Sequence, residues 1–162
     1  NKTARRIVFD AVANFEPKRI LDIYCGSGNL SLQLATPERY IDGVEFSKRS
    51  IKTAQINVER ANLRNVNYYA GDTVKFLWRA AKQGIRYDLV IADPPREGMY
   101  KALPPLLKIA PRQIIYISCD PMTLSRDLNF LCRNDYKITR FIGLDFFPNT
   151  FHIESLVILE RR

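Results

Sequence analysis

Histidine occurs once in this 162-residue chain, at His152, and cysteine three times, at Cys25, Cys119 and Cys132. An odd number of cysteines with no CxxC pair and no histidine-rich spacing supports neither a disulfide framework nor a metal site such as zinc, so reduced thiols are expected. No apolar run approaches the roughly 20 residues that a membrane span needs, and the start lacks the charged, apolar and small-residue order of a secretion signal. A soluble, cytoplasmic, monomeric protein is the expectation. Internal repeats, linkers and low-complexity tracts are absent as well.

What is present fits one domain: 46% of the residues are hydrophobic, enough at this length to bury roughly two-thirds of the surface of the unfolded chain. The charge is lopsided, with 25 Lys and Arg against 17 Asp and Glu, a net +8. Such an excess favours an anionic partner, because neutralising phosphates releases counterions whatever the sequence. The basic residues are nonetheless spread along the chain, as at Arg5 and Arg6, Lys48 and Arg49, or Arg79 and Lys82. Charge alone therefore does not separate nucleic-acid binding from a solvated surface.

The chain opens at Asn1 rather than Met and runs at once into a helical pattern with Ala4, Val8, Ala11, Val12 and Phe15 on one face, so residues 1–162 read as one excised domain. Apolar runs then alternate with helical periods. Arg19–Ile23, Tyr40–Val44, Val66–Tyr69, Tyr87–Ala92 and Gln113–Ser118 read as strands, and Ser47–Asn62, with Ser47 as N-cap, and Leu124–Arg133 as helices. This alternation predicts an α/β fold with a parallel sheet covered on both faces. Lys137–Leu144 and Ile153–Leu159 follow with no helix between them, which predicts a closing antiparallel pair. That is the plan of class I methyltransferases, a Rossmann-like fold that by itself does not fix the chemistry.

Ligands in open parallel sheets bind beyond the C-terminal ends of the strands, so the loops there carry the argument. After the first strand comes Tyr24-Cys25-Gly26-Ser27-Gly28-Asn29, where Gly26 and Gly28 let backbone approach a ligand before a helix starts. Glu45 ends the second strand about twenty residues on, where an acidic side chain accepts hydrogen bonds from ribose hydroxyls. Asp72 follows the third strand, placed to meet an adenine edge. A dinucleotide site would want a third glycine where Ser31 stands, so these three strand ends favour an adenosyl ligand without pyrophosphate, S-adenosylmethionine.

The fourth strand ends in Asp93-Pro94-Pro95-Arg96-Glu97-Gly98, a rigid loop because paired prolines continue neither helix nor central strand. The fifth ends in Ser118-Cys119-Asp120-Pro121, ahead of a helix whose N-terminus can stabilise a thiolate. Cys25 and Cys132 read as inert buried thiols. A methyltransferase needs such a nucleophile where carbon 5 of a pyrimidine is the acceptor: addition at carbon 6 activates carbon 5, and a base then removes its proton. Glu154, just ahead of the apolar run Leu156–Leu159, is the candidate base; His152 either orients a carboxylate or bonds locally.

Taken together, Leu-Asp-Ile-Tyr-Cys-Gly-Ser-Gly-Asn at 21–29, Gly-Val-Glu at 43–45, Asp-Pro-Pro-Arg at 93–96, Ser-Cys-Asp-Pro at 118–121 with Thr123, Arg126 and Asp127, and Phe-Pro-Asn-Thr-Phe-His-Ile-Glu at 147–154 resemble the RNA uracil-C5-methyltransferases of ribosomal and transfer RNA. The resemblance implies that Tyr24, Asn29, Glu45, Asp72 and Asp93 line an S-adenosylmethionine site, that Cys119 is the nucleophile and Glu154 the base, and that a uridine is extruded from folded RNA to reach them. Asp120 departs from the family's usual asparagine and adds a negative charge that opposes attack by the thiol. The family's upstream Phe-x-Gln segment and OB-type RNA-binding domain would precede Asn1. Three rivals stay open: a cytosine-5-methyltransferase, for which residues 93–98 lack the second cysteine; an amino-group methyltransferase, which would not need Cys119; and an RNA-binding module without turnover.

Overall fold

β-Branched and leucine-rich runs pair where both sheet faces are covered, because such strands gain from burying every side chain rather than alternate ones. The computed structural model of the chain, which describes residues 2–145 and 153–162, has this pattern in its central strands: β4 (Leu89–Ala92) and β5 (Gln113–Ser118) are buried along their whole length. With β1 (Arg19–Ile23), β2 (Tyr40–Glu45), β3 (Val66–Ala70), β6 (Tyr136–Asp145) and β7 (Ile153–Arg161) they form one sheet of order β3-β2-β1-β4-β5-β7-β6. The first five strands are parallel, and β7 runs antiparallel between β5 and β6.

Helices cover both faces. α1 (Lys2–Phe15) and α2 (Lys48–Arg60) pack Val8, Val12, Ile51 and Ala54 onto Ile20, Ile41 and Ile91. α3 (Thr73–Lys82), α4 (Leu103–Ile109) and α5 (Pro121–Arg133) pack Leu77, Leu106 and Leu131 onto Leu21, Val90 and Tyr116 on the other face. Each fully buried aliphatic side chain contributes roughly 2 kcal/mol. The strand order reverses between β1 and β4, so the crevice at their C-terminal ends is where a ligand belongs. Among the described residues no helix is long and apolar enough to cross a membrane.

The strands and helices anticipated from the sequence are present, including Ser47 as N-cap of α2, where its hydroxyl accepts from Ser50 N. Two differences bear on the site. No α-helix follows the glycine loop; only a 3-10 turn, Leu32–Leu34, forms before Ala35 turns extended ahead of Thr36 and Pro37, and a residue before proline is pushed out of the helical region. β4 begins at Leu89 rather than Tyr87, because side chains hold the entry: the Asp88 carboxylate accepts from Lys18 N and Arg19 N, and the Tyr87 hydroxyl donates to Asp42.

Candidate active site

The loop after β1 turns back through three left-handed residues, Tyr24 (φ 61°), Gly26 (φ 55°) and Gly28 (φ 72°). The two glycines do different jobs. A Cβ on Gly26 would meet nothing within 4 Å, and the residue lines a cavity of about 350 Å³ together with Arg5, Tyr24, Asn29, Asp93 and Glu154. A Cβ on Gly28 would instead strike the Tyr68 ring at 2.4 Å, and one on Gly43 would strike the same ring from β2. The Tyr68 ring thus approaches closely at Gly28, which by itself requires glycine there. Tyr68 is buried, its hydroxyl donates to Gly28 O, and Ser31 Oγ lies 2.9 Å from it while donating to the buried Asp22 carboxylate. Ser31, absent from the dinucleotide pattern, is thus the tie between loop, β1 and β3.

Burial pushes the Asp22 carboxyl up to about 7, opposed by the Ser31 hydrogen bond and reinforced by the charges of Asp93 and Glu45. Burial, with the Asp22 and Glu45 carboxylates, also pushes the Cys25 thiol up, as befits an unreactive cysteine. The Tyr24 phenol is raised to about 12 by burial first and then by Asp72, Asp127 and Glu97, so it stays a donor. Glu45 braces the loop: Oε2 accepts from Gly26 N at 3.3 Å and Oε1 from Ser47 N at 2.8 Å. Asp72 stands apart from the 350 Å³ cavity, on the rim of a larger groove of about 790 Å³ with Phe46, Gly71 and Tyr69, and is the N-cap of α3 through Lys75 N.

The strand register brings the candidate reacting residues to one edge of the sheet. β4 ends with Ala92 beside Tyr116, β5 with Ser118 beside Ser155. One residue further on, Asp93 leaves β4, Cys119 leaves β5, and Glu154 stands on β7 opposite the position of Cys119. Asp93 is solvent-exposed at its rim, yet the protein packed around it and the Glu154 charge push its carboxyl up to about 6. Cys119 is half-buried and lines neither cavity, whereas Glu154 lines the smaller one. Asp120 is the N-cap of α5: its carboxylate accepts from Thr123 N at 2.8 Å and Thr123 Oγ1 at 3.1 Å, and these bonds hold its carboxyl below the usual range. The helix N-terminus expected to face Cys119 is thus already occupied by an anion. His152 and residues 146–152 lie outside the described residues.

Sequence reasoning missed Arg5, which reaches the cavity from α1 and carries no local signal, and it gave no role to Asp22, whose carboxylate inside an apolar strand was one.

This sheet order, with the crevice between β1 and β4 and an antiparallel β7, defines a Rossmann-like class I methyltransferase fold. The model of the tRNA (Uracil-5-)-methyltransferase family matches residues 6–162. A Klebsiella pneumoniae 23S rRNA (uracil(1939)-C(5))-methyltransferase RlmD is 39% identical over 144 residues, covering 89% of this chain and 33% of that protein. Its Aeromonas hydrophila counterpart is 36% identical over 148 residues, with the same coverage. The chain thus spans about a third of the length of these curated relatives. Among solved structures, the Pyrococcus abyssi tRNA (uracil-54, C5)-methyltransferase in complex with S-adenosyl-L-homocysteine superposes with a TM-score of 0.77 at 29% identity, covering 95% of this chain and 37% of that one. The N-methyltransferase NodS of Bradyrhizobium japonicum matches at 0.78 with 15% identity over 99% of this chain and 95% of its own, a likeness of fold alone. The chain belongs to the tRNA (uracil-5-)-methyltransferase family.

Proposed function

We propose that residues 1–162 are the S-adenosylmethionine-binding catalytic domain of an enzyme that methylates carbon 5 of a uridine in structured ribosomal or transfer RNA. The convergence of Asp93, Cys119 and Glu154 at three neighbouring strand ends, beside the glycine loop, carries this reading.

The cavity suits the cofactor because the missing Gly26 side chain faces open space in it. Tyr24, Gly26, Asn29 and Asp93 would hold it there, with Glu45 bracing the loop and Asp72 at the neighbouring groove. Bound, S-adenosylmethionine supplies an electrophilic methyl group. The protein's own work lies on the uracil: the Cys119 sulfur, as thiolate, adds to carbon 6, and the ring electrons move onto the carbon-4 carbonyl, which makes carbon 5 nucleophilic. After carbon 5 is methylated, Glu154 takes its proton, the 5,6 double bond re-forms and the thiolate leaves. Glu154 stands across the strand pair from Cys119, so base and nucleophile address adjacent ring carbons.

The test is a denaturing gel of the full-length protein and its Cys119→Ala variant with 5-fluorouridine-substituted RNA and S-adenosylmethionine. Fluorine at carbon 5 cannot leave as a proton, so wild type should form a covalent protein–RNA adduct that the variant lacks. Methylation of natural RNA without any adduct would refute the thiolate route and favour amino-group methylation.

A further inference from the structure

The loop that leaves β4 contains Pro94 and Pro95, and its following backbone polar groups cannot join the sheet, so they need partners elsewhere. Three of them find those partners on α5. Thr123 Oγ1 donates to Arg96 O at 2.8 Å, Arg126 Nη2 donates to Glu97 O at 2.9 Å, and Met99 N donates to Asp127 Oδ2 at 2.8 Å. Asp127 is fully buried, and a buried carboxylate is tolerated only when hydrogen-bonded and paired. Its Oδ2 also accepts from the Tyr116 hydroxyl of β5 at 2.8 Å, and its Oδ1 from Arg126 Nε at 2.9 Å.

The loop side is built to match. Gly98 has φ 76°, and a Cβ there would lie 2.7 Å from Asp127 Oδ2, 2.8 Å from Arg126 Nη2 and 3.2 Å from Thr123 Cβ. The same three side chains therefore hold the loop and fill the space that a larger residue would need. A buried charge is a poor way to add stability, since apolar replacements of similar shape often do as well. What it adds is a single geometry: three directional bonds tie the loop after Asp93 to the helix that begins two residues after Cys119, and two more fix the Asp127 carboxylate against Tyr116 of β5 and against Arg126.

We infer that Thr123, Arg126 and Asp127 form a latch that fixes the Asp93 loop relative to Cys119, and that these are positioning residues for the step at the uracil ring. The inference rests on the reading of Cys119 given above. Arg126 acts through its planar fork, which holds Nε on the Asp127 carboxylate and Nη2 on Glu97 O in one fixed geometry; the flexible stem and compact ammonium of a lysine do not reproduce that fork.

The experiment uses the full-length protein with cofactor and 5-fluorouridine-substituted RNA, and compares Thr123→Val, Thr123→Ser, Arg126→Lys and Gly98→Ala. A latch predicts that Val, Lys and Ala each slow adduct formation by about tenfold to a hundredfold, the penalty of a misplacement near 1 Å. It also predicts that Thr123→Ser restores the rate to within about threefold, that S-adenosylmethionine affinity stays within about twofold, and that the Gly98→Ala and Arg126→Lys effects are less than multiplicative in combination. Unchanged adduct rates in the three disruptive variants would overturn the inference. So would a loss of rate that only parallels loss of melting temperature and cofactor affinity, which marks a merely structural role. Failure of the underlying reading looks different, because wild type would then form no adduct at all.

Discussion

The two glycines of the β1 loop provide a crossed test, since one faces a side chain and the other a cavity. Gly28→Ala places a Cβ 2.4 Å from Tyr68 Cζ at a φ of 72°. The left-handed backbone costs about 1 kcal/mol or more for a residue with a Cβ, and displacing a well-packed buried ring costs about 1–3 kcal/mol. Tyr68 also anchors Gly28 O and contacts Ser31 Oγ, so it cannot swing away freely. Gly28→Ala is therefore expected to lose about 3 kcal/mol in urea unfolding, a fall of roughly 10 °C in melting temperature for a domain of this size. Adding Tyr68→Leu removes the ring that the Cβ strikes, so the double variant should lose less than the two single losses combined. Gly26→Ala, at φ 55° with open space around it, is expected to lose only the backbone share, about 1 kcal/mol, while weakening S-adenosylhomocysteine binding in calorimetry by tenfold or more, an order-of-magnitude figure for filling part of the cavity. A stable Gly28→Ala protein that no longer binds cofactor would refute the assignment of Tyr68 as the reason for that glycine.

Three further outcomes follow from the charges. Asp22 is raised from 3.8 to about 7, so the folded state binds its proton more tightly than the unfolded state; stability should fall as pH rises from about 4 to about 7, and Asp22→Asn should flatten that slope in unfolding curves measured across the window. Asp120→Asn keeps an N-cap residue of equal quality and removes a charge next to Cys119, so unfolding should change by less than about 0.5 kcal/mol while adduct formation at neutral pH speeds up; Asp120→Ala should instead cost about 1 kcal/mol. An Asp120→Asn rate equal to wild type would show that the helix already neutralises the carboxylate. Iodoacetamide at neutral pH should label Cys119 ahead of Cys25, whose thiol burial and two carboxylates hold up, and peptide mass spectrometry reads the order directly; preferential labelling of Cys25 would contradict that account.

The parts of this site that could be read from the sequence are those set by strand ends. Tyr24, Glu45, Asp93 and Cys119 each lie at or just after the end of a parallel strand, and hydrophobic runs bounded by glycine or proline mark those ends well. What could not be read is contact between elements. Tyr68 looks like any strand aromatic until β3 is placed beside β2, when its ring falls between Gly28 and Gly43. Asp72 and Asp120 each precede a helix, which is the N-cap signature, and the bonds they accept from Lys75 N and Thr123 N show that each caps its helix. The short 3-10 turn after Gly28 had a signal in Pro37, which stops the chain before a longer helix can form.

Glu154 is the case where topology does the work. A parallel strand presents its C-terminal end at the ligand crevice, so every residue drawn from β1, β2, β4 and β5 comes from the last position of its strand or the loop beyond. β7 runs the other way, and it is the start of that strand that reaches the crevice, with Ser155 beside Ser118. The choice between the two glutamates of β7 then needs no chemistry. Glu160 pairs with Gln113, at the opposite end of β5. Six residues of extended chain separate it from Glu154, about 20 Å, which no side chain spans. On the proposed mechanism, of the two glutamates of β7 only Glu154 stands at the Cys119 end of β5, within reach of the uracil ring. Glu154→Gln should accordingly form the adduct with unsubstituted RNA and release it slowly, whereas Glu160→Gln should turn over like wild type.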